Sequence, residues 1–296
     1  MINRDQIEVL IDNLIRLQSD AQSIREEEFL FLRAYFSSMI TPEMTFDRAM
    51  RQLLGGYKRL VAEQTSAVPE NQVREKSALS QTLAECFFQE APSPKAVIPS
   101  LFASKSDSVA KISFWRENQF SSIGVELFSE LFHSTEPIFS ESFSETCENV
   151  ANQTSEFGIL PIDNTVDGRL SVFYKMIDKY ELKICAVCDV EDPATEMSTR
   201  LALVAKKLYS FEGAFPRHIE LSRVVTDPKK RIELVRVAEF MGAALTHLSS
   251  RPLSYRINAN IETMRFALKE EITVPFLIYL HIFCEDINIL GFFVQI

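Results

Sequence analysis

No stretch of this 296-residue chain holds the roughly 20 consecutive apolar residues that a membrane span requires. The nearest candidate, Ile272 to Phe283, is too short and is interrupted by Pro275 and His281. The opening residues, Met1-Ile2-Asn3-Arg4-Asp5, lack the basic and then apolar profile of a secretory signal. Positive charge is scarce as well: 31 Lys and Arg stand against 41 Asp and Glu, a net charge of −10. That balance argues against nucleic acid and acidic membrane surfaces as partners, since both select basic patches. Cysteine is sparse and odd in number at five, which fits reduced thiols and a cytoplasmic location. Cys185 and Cys188 form a Cys-x-x-Cys, but no second pair completes a zinc site and no helix start acidifies a thiol. They read as structural cysteines inside a strand, and nothing in the chain points to a metal or a cofactor. Low-complexity tracts and short-period repeats are also lacking.

What is present is an ordinary globular composition, 46% apolar and 24% charged, in a chain long enough for two or three domains. The first third reads as helical. Ile7, Leu10, Ile11, Leu14, Ile15 and Leu17 form one apolar stripe, and Phe29, Leu30, Leu32 and Phe36 continue it. Thr41-Pro42-Glu43 has the form of a helix start, and a further helix is predicted over 72–89. A Pro/Ser/Lys-rich linker spans 91–107. From Ser108 the period changes. Strand-like runs (109–115, 136–139, 157–160, 182–190) alternate with helical ones (122–132, 143–152, 166–180), which predicts a mostly parallel sheet covered on both faces. A last unit begins near 217, with strand 218–225, helix 228–241 and strand 244–253, and a further strand is expected over 274–284.

The most informative stretch is Phe157-Gly158-Ile159-Leu160-Pro161-Ile162-Asp163-Asn164. It reads as an apolar strand that stops at a proline and delivers a carboxylate and a carboxamide, followed by a helix. The C-terminal end of a strand feeding a helix start is where open α/β sheets bind anionic ligands. An ordinary β-α connection with a polar turn reads the same residues equally well.

The order of those residues resembles the Gly-Val-Leu-Pro-Ile-Glu-Asn-Ser segment of the prephenate dehydratases, with Asp163 in place of Glu. Three more segments follow in the family's order. Lys111 to Ser121 occupies the place of its opening strand and Gly-rich turn, of which Phe120-Ser121 remains and whose glycines are replaced by Trp115 to Asn118. Ser142-Phe143-Ser144-Glu145 resembles the next helix start, and Ser198-Thr199-Arg200-Leu201 resembles the Thr-Thr-Arg-Phe catalytic motif. The resemblance implies catalytic roles for Thr199, as proton donor to the departing hydroxyl, and Arg200, with Ser121, Asp163 and Asn164 binding substrate. Where the family inserts a second lobe, this chain has only residues 191–198. An active site that relies on enclosure loses part of its electrostatic strength without it.

The rest of the chain extends the resemblance to the bifunctional chorismate mutase/prephenate dehydratases. Arg4-Asp5-Gln6-Ile7 and Ile11-Asp12-Asn13-Leu14-Ile15 resemble the opening helix of the mutase, which implies Arg4 as a substrate ligand. Leu248-Ser249-Ser250-Arg251-Pro252 resembles the Glu-Ser-Arg-Pro of the C-terminal ACT regulatory domain, implying Ser250, Arg251 and Pro252 as contacts for L-phenylalanine. The fold expected is thus multidomain α plus α/β. It comprises a helical domain at 1–90, a single-lobed parallel α/β domain like one lobe of a periplasmic binding protein at 108–208, and an ACT-like α+β domain at 217–296. A homodimer acting on prephenate or chorismate in phenylalanine biosynthesis is one functional expectation. A catalytically degenerate regulatory or partner-binding subunit is the other.

Overall fold

A computed structural model describes residues 109–115, 119–164, 168–169, 171–192, 197–225, 228–252, 260–284 and 286–296, with 76–78, 80, 81, 84, 103 and 104. The predicted helical domain, Arg4 included, lies outside these apart from its last positions. Those are helical and packed: Ala84 joins the core, and Lys76 pairs with Glu233 and sits 5.5 Å from the Phe283 ring.

From residue 103 the elements run β1 (Ala103–Ser104), β2 (Ala110–Trp115), α1 (Gln119–Ser129), β3 (Thr135–Ser140), α2 (Phe143–Ala151), β4 (Phe157–Asn164), β5 (Gly168–Arg169) and α3 (Ser171–Tyr180). They continue as β6 (Lys183–Asp192), β7 (Met197–Ala205), β8 (Tyr209–Ser210), β9 (His218–Val225), α4 (Pro228–Met241), β10 (Ala244–Pro252), β11 (Asn260–Ala267), α5 (Glu270–Phe283) and β12 (Ile287–Gln295). One sheet of ten strands carries nearly all of it, in the order β10-β11-β9-β12-β6-β7-β4-β2-β3, with β5 on β4. β1 and β8 form a separate parallel pair.

The sheet is mixed, not mostly parallel as expected. β2 pairs β3 and β4 in parallel, but β6 and β7 form an antiparallel hairpin. The reason is length: four residues, 193–196, separate β6 from β7, and a parallel crossover needs a dozen or more. β4 also runs through Pro161 to Asn164, past the proline where the strand was expected to stop. Its register on β7 shifts between Pro161 and Asp163. Such an irregularity is where a strand tolerates a residue with no N–H to donate.

The C-terminal unit differs most from the sequence reading. The apolar run expected as a strand over 274–284 is helix α5, buried from Thr273 to Leu280. Periodicity cannot separate a buried strand from a helix that is apolar all round, and length decides for the helix. Strand β11 lies between the two expected strands, where no element was expected, and β12 follows the helix, so the unit is β-α-β-β-α-β. Its strands take the order β10-β11-β9-β12.

Two faces result. Helices α1, α4 and α5 cover one, over Leu201, Leu203, Ile219, Leu221, Met264, Phe266 and Phe292. Helices α2 and α3 cover the other, over Leu160, Ile162, Ile184, Val187, Ala202, Val204 and Phe293. β12 joins β6 in parallel, so the sheet is continuous from β3 to β10.

Candidate functional site

α1 leaves the end of β2 toward one face, and the chain leaving β4 enters α3 on the other. The crevice between the ends of two such strands is where open α/β sheets bind ligands. Ser121, in the first turn of α1, is fully buried there. Across the sheet, Asn164 at the end of β4 is the cross-strand partner of Thr199, whose exposure is 5%. One turn beyond Ser121, Gly124 lies so close to β7 that a Cβ would meet the Leu201 side chain at 2.5 Å. Helix α1 and β7 run the same way, so Ser121 and Thr199 occupy the same end of this contact. The next helix start is fixed by its own capping. Ser142 Oγ accepts from Glu145 N at 3.2 Å, and Glu145 Oε2 accepts from Glu141 N at 2.6 Å.

Thr199 and Arg200 do not share a pocket. Successive strand residues point to opposite faces, and β7 is regular here: Thr199 follows the α1 face and Arg200 the α2–α3 face. On that second face Arg200 is the cross-strand partner of Asp163 and lies beside Asp189. Its Nε donates to Asp189 Oδ1 at 2.7 Å and its Nη2 to Oδ2 at 3.1 Å, a bidentate fork. That bond, above all, holds the Arg200 pKa above its ordinary value.

The polar row continues across the sheet. Gln295 Nε2 donates to Asp189 Oδ2 at 3.2 Å. His218 stacks on the Phe293 ring at 5.6 Å, and burial, then Arg265, Arg200 and Arg217, lower its pKa. Arg265 Nε and Nη2 donate to the fully buried Glu220 at 2.9 and 2.7 Å, and Tyr174 of α3 donates its hydroxyl to the other Glu220 oxygen. Asp163, Arg200, His218, Thr246, His247, Arg265 and Gln295 line a cleft of about 240 Å³ along this row. No motif marks Asp189, His218, Glu220, Arg265 or Gln295 in the sequence. The signal present is the polar/apolar alternation of His218-Ile219-Glu220-Leu221 and Met264-Arg265-Phe266, which identifies half-buried strands but not their register.

The expected effector residues are placed apart. Arg251 Nη2 donates to Asp178 of α3 at 2.8 Å, and its guanidinium lies 5.8 Å from the Tyr174 ring. Ser250 is exposed on the opposite face of β10, and Pro252 is exposed at its end. Arg251 thus ties the C-terminal unit to α3. Arg4 and the side chain of Asn164 lie outside the described residues. Among the described residues no group of three His, Cys, Asp or Glu side chains could hold a metal ion, and no helix is long and apolar enough to cross a membrane. Cys185 and Cys188 are buried as free thiols, and burial pushes both up to about 12, far from the reactive range.

Residues 117–206, from the start of α1 to the end of β7, match the sequence model of the prephenate dehydratase family. No curated protein matches the chain. The prephenate dehydratase of Streptococcus mutans superposes with a TM-score of 0.53 at 16% identity, over 63% of this chain and 99% of that one. GqqA, described as a novel type of quorum quenching acylase, superposes with a TM-score of 0.50 at 20% identity, over 62% of this chain and 94% of its own. At these identities the likeness is one of fold. The two relatives carry different named activities on it, so the chemistry must be argued from the site.

Proposed function

We propose that this chain is a divergent prephenate dehydratase-like protein of phenylalanine biosynthesis that binds an acid of that pathway without dehydrating it efficiently. The observation that carries this reading is the bidentate fork in which Asp189 engages Arg200, the cation of the pair. A general acid and the cation that stabilises developing charge must face the same reacting atoms, in a site that excludes water. Here Thr199 is buried on the α1 side of the sheet, and only four residues separate β6 from β7. Ser121, Asn164 and Thr199 remain grouped at the strand ends, which supports a binding role for that edge, with Asp163 and Arg200 on its other side.

The finer parts of the reading follow from resemblance. A chorismate mutase-like helical segment at 1–90 would use Arg4, and an ACT-like unit at 217–296 would respond to L-phenylalanine through Ser250, Arg251 and Pro252 in a homodimer. Support for the second part is the β-α-β-β-α-β order of the C-terminal unit. Against effector contact through Arg251 stands its ion pair with Asp178.

Calorimetric titration of the purified chain with prephenate and with L-phenylalanine tests the binding role. Saturable prephenate binding that weakens at least tenfold in Asn164→Asp is the expected result, since a carboxylate at that edge repels an anionic ligand. No heat with prephenate at millimolar concentration would overturn it.

A further inference from the structure

A second cavity lies at the opposite end of the same strands from the Ser121–Thr199 edge. β2 and β4 enter the sheet there and β7 leaves it, so the eight residues of β4, roughly 25 Å, separate the two places. Its volume is about 440 Å³, within the range of small-molecule sites. In a chain of net charge −10 this cavity reverses the sign: Lys111, Lys206 and Lys207 line it against the carboxylate of Glu156. Glu156 is already engaged by the hydroxyl of Tyr209, whose pKa burial and then Glu156 push up to about 12, so the phenol keeps its proton.

The lysines are only loosely held. Outside the cavity, Glu136 lies 3.8 Å from Lys111 Nζ and Glu181 lies 3.9 Å from Lys206 Nζ. Both carboxylates are exposed, and neither distance makes a hydrogen bond, so these pairs contribute little. Lys206 donates to Tyr180 O at 2.8 Å, which uses one of the three donors an ammonium carries. Lys207 is exposed and has no ion pair among the described residues. The end of α2 beside them uses its carbonyls internally. Glu148 O accepts from Asn152 N at 2.8 Å, and Asn149 O accepts from Thr154 N and Ser155 N at 2.9 and 3.1 Å.

Ser155 is an independent observation. It is 2% exposed and lines the cavity, and its Oγ is buried with no hydrogen-bond partner among the described residues. A buried hydroxyl is normally paired, and an unpaired one costs stability that a bound acceptor restores.

We propose that this cavity binds a small phosphate monoester, whose phosphoryl oxygens accept from the lysine ammoniums and the Ser155 hydroxyl while its remainder lies along Val109, Val150 and Tyr209. Among the described lining residues there is no arginine, so the planar fork that matches a carboxylate is missing. Ammoniums arriving from β2 and from the end of β7 suit a tetrahedral group that accepts from several directions. A phosphate monoester carries a charge approaching −2 at neutral pH, which meets the two positive charges that the three lysines leave over Glu156. A ligand held here leaves the strand-end edge at Thr199 open.

The test is calorimetric titration of the full chain with phenyl phosphate, inorganic phosphate and benzoate at neutral pH, repeated with prephenate present. Phenyl phosphate should bind saturably at millimolar concentration, more tightly than inorganic phosphate or benzoate and without competition from prephenate. Lys207→Gln, at an exposed position, should weaken it about tenfold, and Ser155→Ala about threefold or more. No saturable binding of phenyl phosphate, equal binding of benzoate or inorganic phosphate, competition by prephenate, or affinity unmoved by Lys207→Gln would each overturn the proposal. If Ser155→Ala does not fold, the lysine variant decides. It also decides if prephenate itself does not bind, so this proposal and the prephenate reading fail separately.

Discussion

The buried ion pair of Glu220 and Arg265 concentrates the energetic risk of this fold on two side chains. A buried pair gains little over apolar residues of equal size, but removing one member leaves an uncompensated charge. Arg265→Met should therefore cost about 3–5 kcal/mol, read as a lower urea midpoint at unchanged slope. His218 gives the pH dependence. Its pKa is lowered in the folded chain, first by burial and then by the nearby arginines, so folding favours the neutral form. Its contribution is complete above the ordinary histidine value of about 6.5 and is lost as pH falls through the folded value. Stability should fall on acidification through that range, and His218→Gln should reduce the slope of melting temperature against pH. At the same scale the thiols of Cys185 and Cys188, pushed up to about 12, should stay unmodified by iodoacetamide at pH 8 until the chain is unfolded. Their structural role was readable in the sequence, because a strand interior offers no acidifying dipole. The partners of Arg200 and Arg251 were not readable, since Asp189 and Asp178 reach them only through strand register and helix packing.

Among the elements, a very close contact forms where β12 meets β6. A Cβ on Gly291 would meet the Ile184 side chain at 2.5 Å and its backbone oxygen at 2.8 Å. Gly291→Ala should separate the two strands and cost about 1–3 kcal/mol, the usual range for an overpacked core, with a lower melting temperature. The β-α-β-α run from β2 to α3 was legible because each element carries one clean period, and the helix start at Ser142 because its capping residues are local. Helix α5 was not legible as a helix, since burial on all sides erases the amphipathic stripe on which the distinction depends. Pro161 misled for a related reason: a proline usually ends a strand, and here the register shift beside it absorbs the missing N–H.

At the scale of the whole molecule, the sheet joins what the sequence divides. The change of period at Ser108 and the connection near 217 mark units of sequence, yet β12 pairs with β6 and the polar row from Asp163 to His247 crosses both. Such a row exists only once seven strands are aligned, which is why no local motif announces it. The central proposal is that this chain keeps a dehydratase-like fold while Arg200, engaged by Asp189, is withheld from the chemistry. The most direct measurement is the formation of phenylpyruvate from prephenate by the purified chain, followed beside Thr199→Ala. The predicted result is turnover no faster than the uncatalysed reaction, or a weak rate that Thr199→Ala leaves unchanged. A clear rate that Thr199→Ala lowers by about 10²-fold or more, as loss of a general acid does, would contradict it.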